Sequence, residues 1–291
     1  MKRLRAHGLQ KGTWVGLGVV ACGWIFLAHA YAHEPIFGLG PHTIFQGGVG
    51  IELEFEHERK TDPDERERVQ ALHLEILYGW TDNLAVTLAV PAFLGQTFEE
   101  AQLRQSSSGL GDVTVRVKYR FWRRDLPGIQ DSAAVLFGIK FPTGSASVEP
   151  RLGSGSTDFL IGLAAARESR RWYYFGDVRF RYNTTGQGGR RAGSVLALDV
   201  AGGIRPWLTE YWQPDLVVLL EINFVQQWPS RVRGQSISGP LRRTVWLAPG
   251  VFFTYRNVAV KGGVQIPIWR RPGGMSAGPD LRVALAVELH L

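Results

Sequence analysis

"GWTDNLAVTLAVPAF", residues 79–93, decides the fold. After the turn residues Asp82 and Asn83, every second side chain is a large aliphatic: Leu84, Val86, Leu88 and Val90, with Ala85, Thr87 and Ala89 between them. Alternation places successive side chains on opposite faces of an extended chain, so the stretch is a β-strand with one apolar face. That face rests either on a second protein layer or on lipid.

The same pattern recurs from Gln46 to the last residue, in Val49–Phe55, Leu72–Tyr78, Val113–Phe121, Val135–Phe141 and, most regularly, Leu216, Val218, Leu220, Ile222 and Phe224. The chain ends inside such a run, "LRVALAVELHL". There are about twelve runs, an even number, as closed bacterial outer-membrane barrels require. Several reach about ten residues, the length of a tilted spanning strand, whereas soluble strands average about five or six. The connections alternate in length. Tight links fall at 81–83, 168–171 and 255–257; longer Gly- and Ser-rich links fall at 94–111, 143–156, 228–240 and 269–280; those at 124–131 and 207–215 are intermediate. Aromatic residues gather near run ends, at Tyr78 and Trp80, Tyr119–Trp122, Trp172–Phe175, Trp207, Tyr211 and Trp212, as interfacial girdles do. A secreted β-sandwich shares the alternation but not the strand length or the loop asymmetry. The expected fold is all-β: a closed antiparallel transmembrane β-barrel over residues 46–291, with short periplasmic turns and longer extracellular loops.

Residues 1–32 read as a secretory signal. Lys2, Arg3, Arg5 and Lys11 precede the apolar run Trp14–Leu27, and Ala30-Tyr31-Ala32 offers small residues at the cleavage positions. Cleavage after Ala32 leaves His33 as the mature N-terminus; lipoprotein processing at Cys22, after "VVA", is the alternative. The leader holds four basic and no acidic residues, so its removal lowers the formal charge from +7 to +3. A nucleic-acid partner loses its electrostatic support. Cys22 is the single cysteine and leaves with the leader, which excludes a disulfide framework. Residues 33–45, "HEPIFGLGPHTIF", read as an irregular periplasmic segment.

If the apolar phase faces lipid, the opposite phase lines the interior. It carries Glu52, Glu54 and Glu56, then His73 and Glu75, then Asp112, Arg116, Lys118 and Arg120. Farther on it carries Lys140, Asp177, Arg179, Arg181, Asp199, Glu221, Asn223, Lys261, Arg282 and Glu288. Both signs are present, so the interior is either a packed ion-pair network or a polar conduit. The network is favoured, because long Arg and Glu side chains fill a barrel of this strand count.

"GLGDVTVRVKYRF", "GIKFPTGS", "GSGSTDFLIGLAAA", "LLEINF" and "LAPGVFF", together with the opening stretch, resemble the transporter-like outer-membrane proteins assigned to a phenol-degradation (meta-) pathway. The resemblance runs from about Gly79 to Ile268. It implies an outer-membrane barrel that passes small, often aromatic or hydrophobic, molecules, and it supplies no catalytic residues. Expected partners are outer-membrane lipid, the barrel-assembly machinery and an unidentified small permeant.

No enzyme or cofactor site is expected. "GSGSTD", "GLGDVT" and "GQSISG" fit no complete phosphate loop or nucleophile elbow. An outer-membrane lipid hydrolase would need Ser and His together on the outward phase, and no Ser shares that phase with a His. Metal ligation at the N-terminus, by the His33 amine and imidazole with His42 nearby, is the remaining alternative.

Overall fold

The structure, a computed structural model, describes residues 34–61, 65–100, 103–209, 213–237, 241–271 and 278–291. The expected leader, the His33 ligand and the aromatic pair Tyr211 and Trp212 lie outside the described residues. In chain order the strands are β1 Val49–Thr61, β2 Glu65–Thr81, β3 Leu84–Glu100, β4 Leu103–Leu110, β5 Thr114–Leu126, β6 Ile129–Lys140, β7 Asp158–Ser169 and β8 Trp172–Tyr182. They continue as β9 Arg190–Arg191, β10 Val195–Ile204, β11 Asp215–Gln227, β12 Arg231–Val232, β13 Gln235–Ser236, β14 Arg242–Tyr255, β15 Val258–Arg271 and β16 Leu281–His290.

Every neighbouring pair is antiparallel, and β16 returns to β1, from Gly50 opposite His290 to Arg59 opposite Leu281. The result is a closed barrel of twelve strands. Counted around the wall, β4 and β5 share one position, because both pair with β3, β4 beyond Ala92 and β5 below Ala89. Closure leaves no unpaired sheet edge, which the hydrocarbon layer forbids. The short strands β9, β12 and β13 form a separate small sheet from the loops at the long-loop end.

The alternation read in residues 79–93 is an inside–outside alternation. Ala85, Thr87 and Ala89 are buried, while Leu84, Val86, Leu88 and Val90 lie on the outer surface. Leu53, Ile76, Phe137, Ile161, Val200, Leu220 and Leu285 are exposed in the same way, a continuous apolar belt. Tyr78, Trp80, Tyr119, Phe121, Trp172, Tyr174 and Trp207 stand exposed around the short-turn end, the position of an interfacial aromatic girdle.

Two segments differ from the sequence expectation. Residues 94–111 are no loop: β3 continues to Glu100 and β4 descends beside it from Leu103. Above the lipid neither face need be apolar, so the hydrophobic period disappears while the hydrogen-bond ladder runs on. The 124–131 link is a two-residue turn at Pro127 and Gly128 between β5 and β6. Gly128 has φ 73°, a left-handed conformation that glycine adopts without steric cost.

Candidate functional site: the barrel interior

The segment from Glu34 to Gln46 contains no helix or strand; its residues from Glu34 to Ile44 lie inside the barrel, while Phe45 and Gln46 are exposed. Its apolar side chains enter three separate places on the wall. Ile36 packs with Phe175, Val217, Leu219 and Phe252; Leu39 packs with Leu136 and Ala164; Ile44 packs with Leu77 and Ala85. Ile36 and Leu39 are 2% and 1% exposed. Such burial stabilises by about 1.5–3 kcal/mol per side chain. Gly250 of β14 and Gly263 of β15 face each other across the ladder. They make a notch for Ile36: a Cβ on Gly250 would collide with Ile36 Cδ1.

Polar anchors fix the same segment. The Glu221 carboxylate accepts the backbone N–H of Ile36 at 2.6 Å, of Phe37 at 3.2 Å and of Gly38 at 3.1 Å. Asp177 accepts the N–H of Leu39 at 2.7 Å. Arg179 donates to the Phe37 carbonyl at 3.1 Å. Lys118 donates to Glu34 and to the Gly40 carbonyl, both at 2.9 Å. Backbone N–H groups without a regular ladder must find acceptors when buried, and inward carboxylates supply them here. Nearer the short-turn end, His42 Nε2 lies 2.7 Å from Glu168, and Asp82 accepts the N–H of Gln46 at 2.9 Å. Burial alone would lower the His42 pKa, but the Glu168 and Glu34 carboxylates outweigh it and hold the imidazole above its ordinary value. The segment thus crosses the interior between β5 on one side and β8 and β11 on the other.

Around it the inward charges are paired. Lys261 faces Glu52 at 3.2 Å, and Arg116 bonds Glu75. Arg282 pairs with Glu58, and Arg179 bridges Asp177 and Asp199. Lys140 joins Asp112 at 2.5 Å and Asp158 at 2.9 Å. His73 contacts Glu56 at 3.1 Å, and His290 bonds Glu288. Asn223 donates to Glu221 at 3.4 Å and accepts from Gln265 at 2.8 Å. Several expected residues stand apart from the centre. Arg120 is held at the short-turn rim by Asn83 and the Asp82 carbonyl. Asp112 lies outside any strand and accepts the N–H groups of Gly144 and Ser154, which ties down the 141–157 connection. Arg181 is half-buried at the long-loop end of β8. Glu54 is buried with no hydrogen bond or ion pair among the described residues.

A family of proteins described as "Putative MetA-pathway of phenol degradation" matches residues 32–266. The chain belongs to this family. An outer-membrane channel from Pseudomonas putida F1 superimposes with a TM-score of 0.69 at 14% identity, over 86% of this chain and 98% of that one. The β-domain of the Bordetella autotransporter BrkA superimposes with a TM-score of 0.53 at 11% identity, over 84% of this chain and 100% of that one. These likenesses carry the fold: an outer-membrane β-barrel. No curated protein matches the chain.

The sequence reading missed two parts of the interior of this family member. Tyr173, Phe175, Val217, Leu219 and Phe252 point inward and form an apolar strip. In "LVVLLEINF" both phases are apolar from Leu216 to Leu220, so alternation cannot reveal which side is wet. The inward course of residues 34–46 carried only a weak signal, the apolar Ile36, Leu39 and Ile44 spaced among glycines and prolines. The described histidines hydrogen-bond carboxylates or nothing, and none meets a serine.

Proposed function

We propose that the chain is an outer-membrane channel for small, largely apolar molecules, with the segment 34–46 as its constriction. The observation that carries this reading is the divided interior. One side is an ion-pair network that keeps the wall rigid; the other is the apolar strip of Tyr173, Phe175, Val217, Leu219 and Phe252, covered by Ile36 and Phe37. A purely structural interior needs only the first. An apolar strip capped by a separable segment gives an apolar permeant a surface to partition onto. The family description, phenol degradation, accords with an aromatic permeant. Export by residues 1–32, a mature start at His33 and insertion by the barrel-assembly machinery belong to the same proposal. The inward charges between Glu52 and Glu288 that reach the interior form the paired network beside the conduit and hold its wall, rather than bind the permeant.

The paired interior charges and the buried segment favour a second reading, a filled barrel that passes nothing. Uptake of a small aromatic hydrocarbon into proteoliposomes separates the two. Uptake above that of protein-free liposomes, with no matching uptake of a sugar of similar size, supports the channel. Equal rates with and without protein support the filled barrel.

A further inference from the structure

Three inward side chains of β1 and β2 form a group that the ion-pair network leaves incomplete. Glu54 lies directly opposite His73 in the β1–β2 ladder, and Glu56 follows two residues later on the same face. Their ligand-capable atoms lie within 4.8 Å of one another. Glu54 is 6% and His73 1% exposed. The surrounding cations are committed elsewhere: Lys261 to Glu52, Arg116 to Glu75 and Arg282 to Glu58. Among the described residues Glu54 has no hydrogen bond or ion pair, and His73 Nδ1 has no hydrogen-bond partner. On the other flank Glu54 and Glu56 stand opposite Ala286 and Ala284 of β16, whose methyl groups leave room. Glu54, Glu56 and Ala284 line one side of a cavity of about 30 Å³, with Arg179, Asp199, Gln265 and Arg282 on its other walls; His73 stands behind the two carboxylates, outside the lining.

The cation acting on Glu54 is Lys261, which is already paired with Glu52, so the carboxylates here outnumber their counter-charge, and an incompletely compensated buried carboxylate is costly. A proton on Glu54 would relieve it but use neither Glu56 nor His73. A cation would use all three. Two carboxylates and an imidazole are a ligand set for a first-row divalent metal, with water completing the coordination. Bonds of about 2.0–2.2 Å set neighbouring ligands roughly 3.3 Å apart, which side-chain rotation reaches from the observed spacing. We infer that Glu54, Glu56 and His73 bind one divalent transition-metal ion of the zinc class inside the barrel. The site stands whether or not the barrel conducts.

The full chain, refolded in detergent with Zn²⁺ and dialysed, tests this through its metal content and thermal unfolding. The expected result is one zinc per folded chain and a higher unfolding temperature than in chelator-treated protein. Glu54→Gln and His73→Gln should each weaken retention at least tenfold. If His73→Gln fails to fold, Glu54→Gln decides, because it keeps the shape and removes one negative charge from the group. A folded wild type that retains no zinc, or equal retention by Glu54→Gln, overturns the inference. So does a Glu54→Gln protein that is more stable than a wild type indifferent to zinc, since a proton then occupies the site. Retention in Glu54→Gln with loss in His42→Gln also overturns it and moves the ion to the N-terminal segment.

Discussion

Glu221 accepts the backbone N–H of Ile36 at 2.6 Å, although 185 positions separate the two residues in the chain. One residue earlier, Leu220 is 50% exposed on the outer surface, while Glu221 is 1% exposed. A single step along β11 therefore passes from the lipid-facing belt to the anchor of the inner segment.

This relationship makes opposite predictions for neighbouring positions. Leu220→Arg places a charge in the apolar belt, which costs about 2–4 kcal/mol near mid-bilayer. The folded, heat-modifiable fraction on gel electrophoresis should fall. Glu221→Gln keeps the shape but replaces one of the two accepting oxygens with an NH2 group, so part of the Ile36, Phe37 and Gly38 N–H set loses its acceptor. The barrel should still fold, and the segment should become accessible to protease. Normal folding of both Leu220→Arg and Glu221→Leu would show the inside–outside phase of β11 to be wrong.

Gly250→Ala should evict the Ile36 side chain from its notch, because the added methyl group collides with Ile36 Cδ1. The same methyl group would lie 3.0 Å from the Gly262 carbonyl oxygen, so the β14–β15 ladder must also give slightly, a smaller change than the displacement of Ile36. The expected outcome is a folded barrel with a severalfold higher ion conductance in planar bilayers. An unchanged conductance would mean that Ile36 does not hold the segment in place.

The pair of His42 with Glu168 makes anchoring depend on pH. The His42 pKa is raised in the folded state, so the protonated pair contributes fully below the ordinary histidine value and is lost as pH rises through the raised one. The titrating imidazole faces Glu168, Glu34 and the Lys118 ammonium. Protease sensitivity of residues 34–46 should increase from mildly acidic to alkaline pH, and His42→Gln should flatten that profile. A wild-type profile with the opposite slope contradicts the assignment.

Topology is open to cysteine labelling, since Cys22 is the chain's single cysteine and would leave with the proposed leader. Cysteines placed at Ser108 and Ser236 should react with an impermeant thiol reagent on intact cells. Those at Asn83 and Asn257 should react only after the envelope is opened. The reverse pattern would invert the barrel.

The sequence carried the wall of this molecule better than its contents. A charged residue in a lipid-facing frame must turn inward, so Glu52, Lys118, Arg179 and Glu221 were legible from phase alone. The apolar strip was not, because Val217 and Leu219 share a run with the outward Val218 and Leu220. The β3–β4 extension escaped because hydrophobic period vanishes once both faces leave the lipid. The course of residues 34–46 rests on contacts with Asp177, Glu221 and Gly250, each far away in the chain. No local pattern records such partners.

Single-channel conductance of the chain refolded from His33 onward, compared with a variant lacking residues 34–45, tests the central claim most directly. The account predicts a small conductance for the former and a much larger, stable one for the latter, with both proteins equally heat-modifiable. Equal conductances in two folded proteins would contradict it.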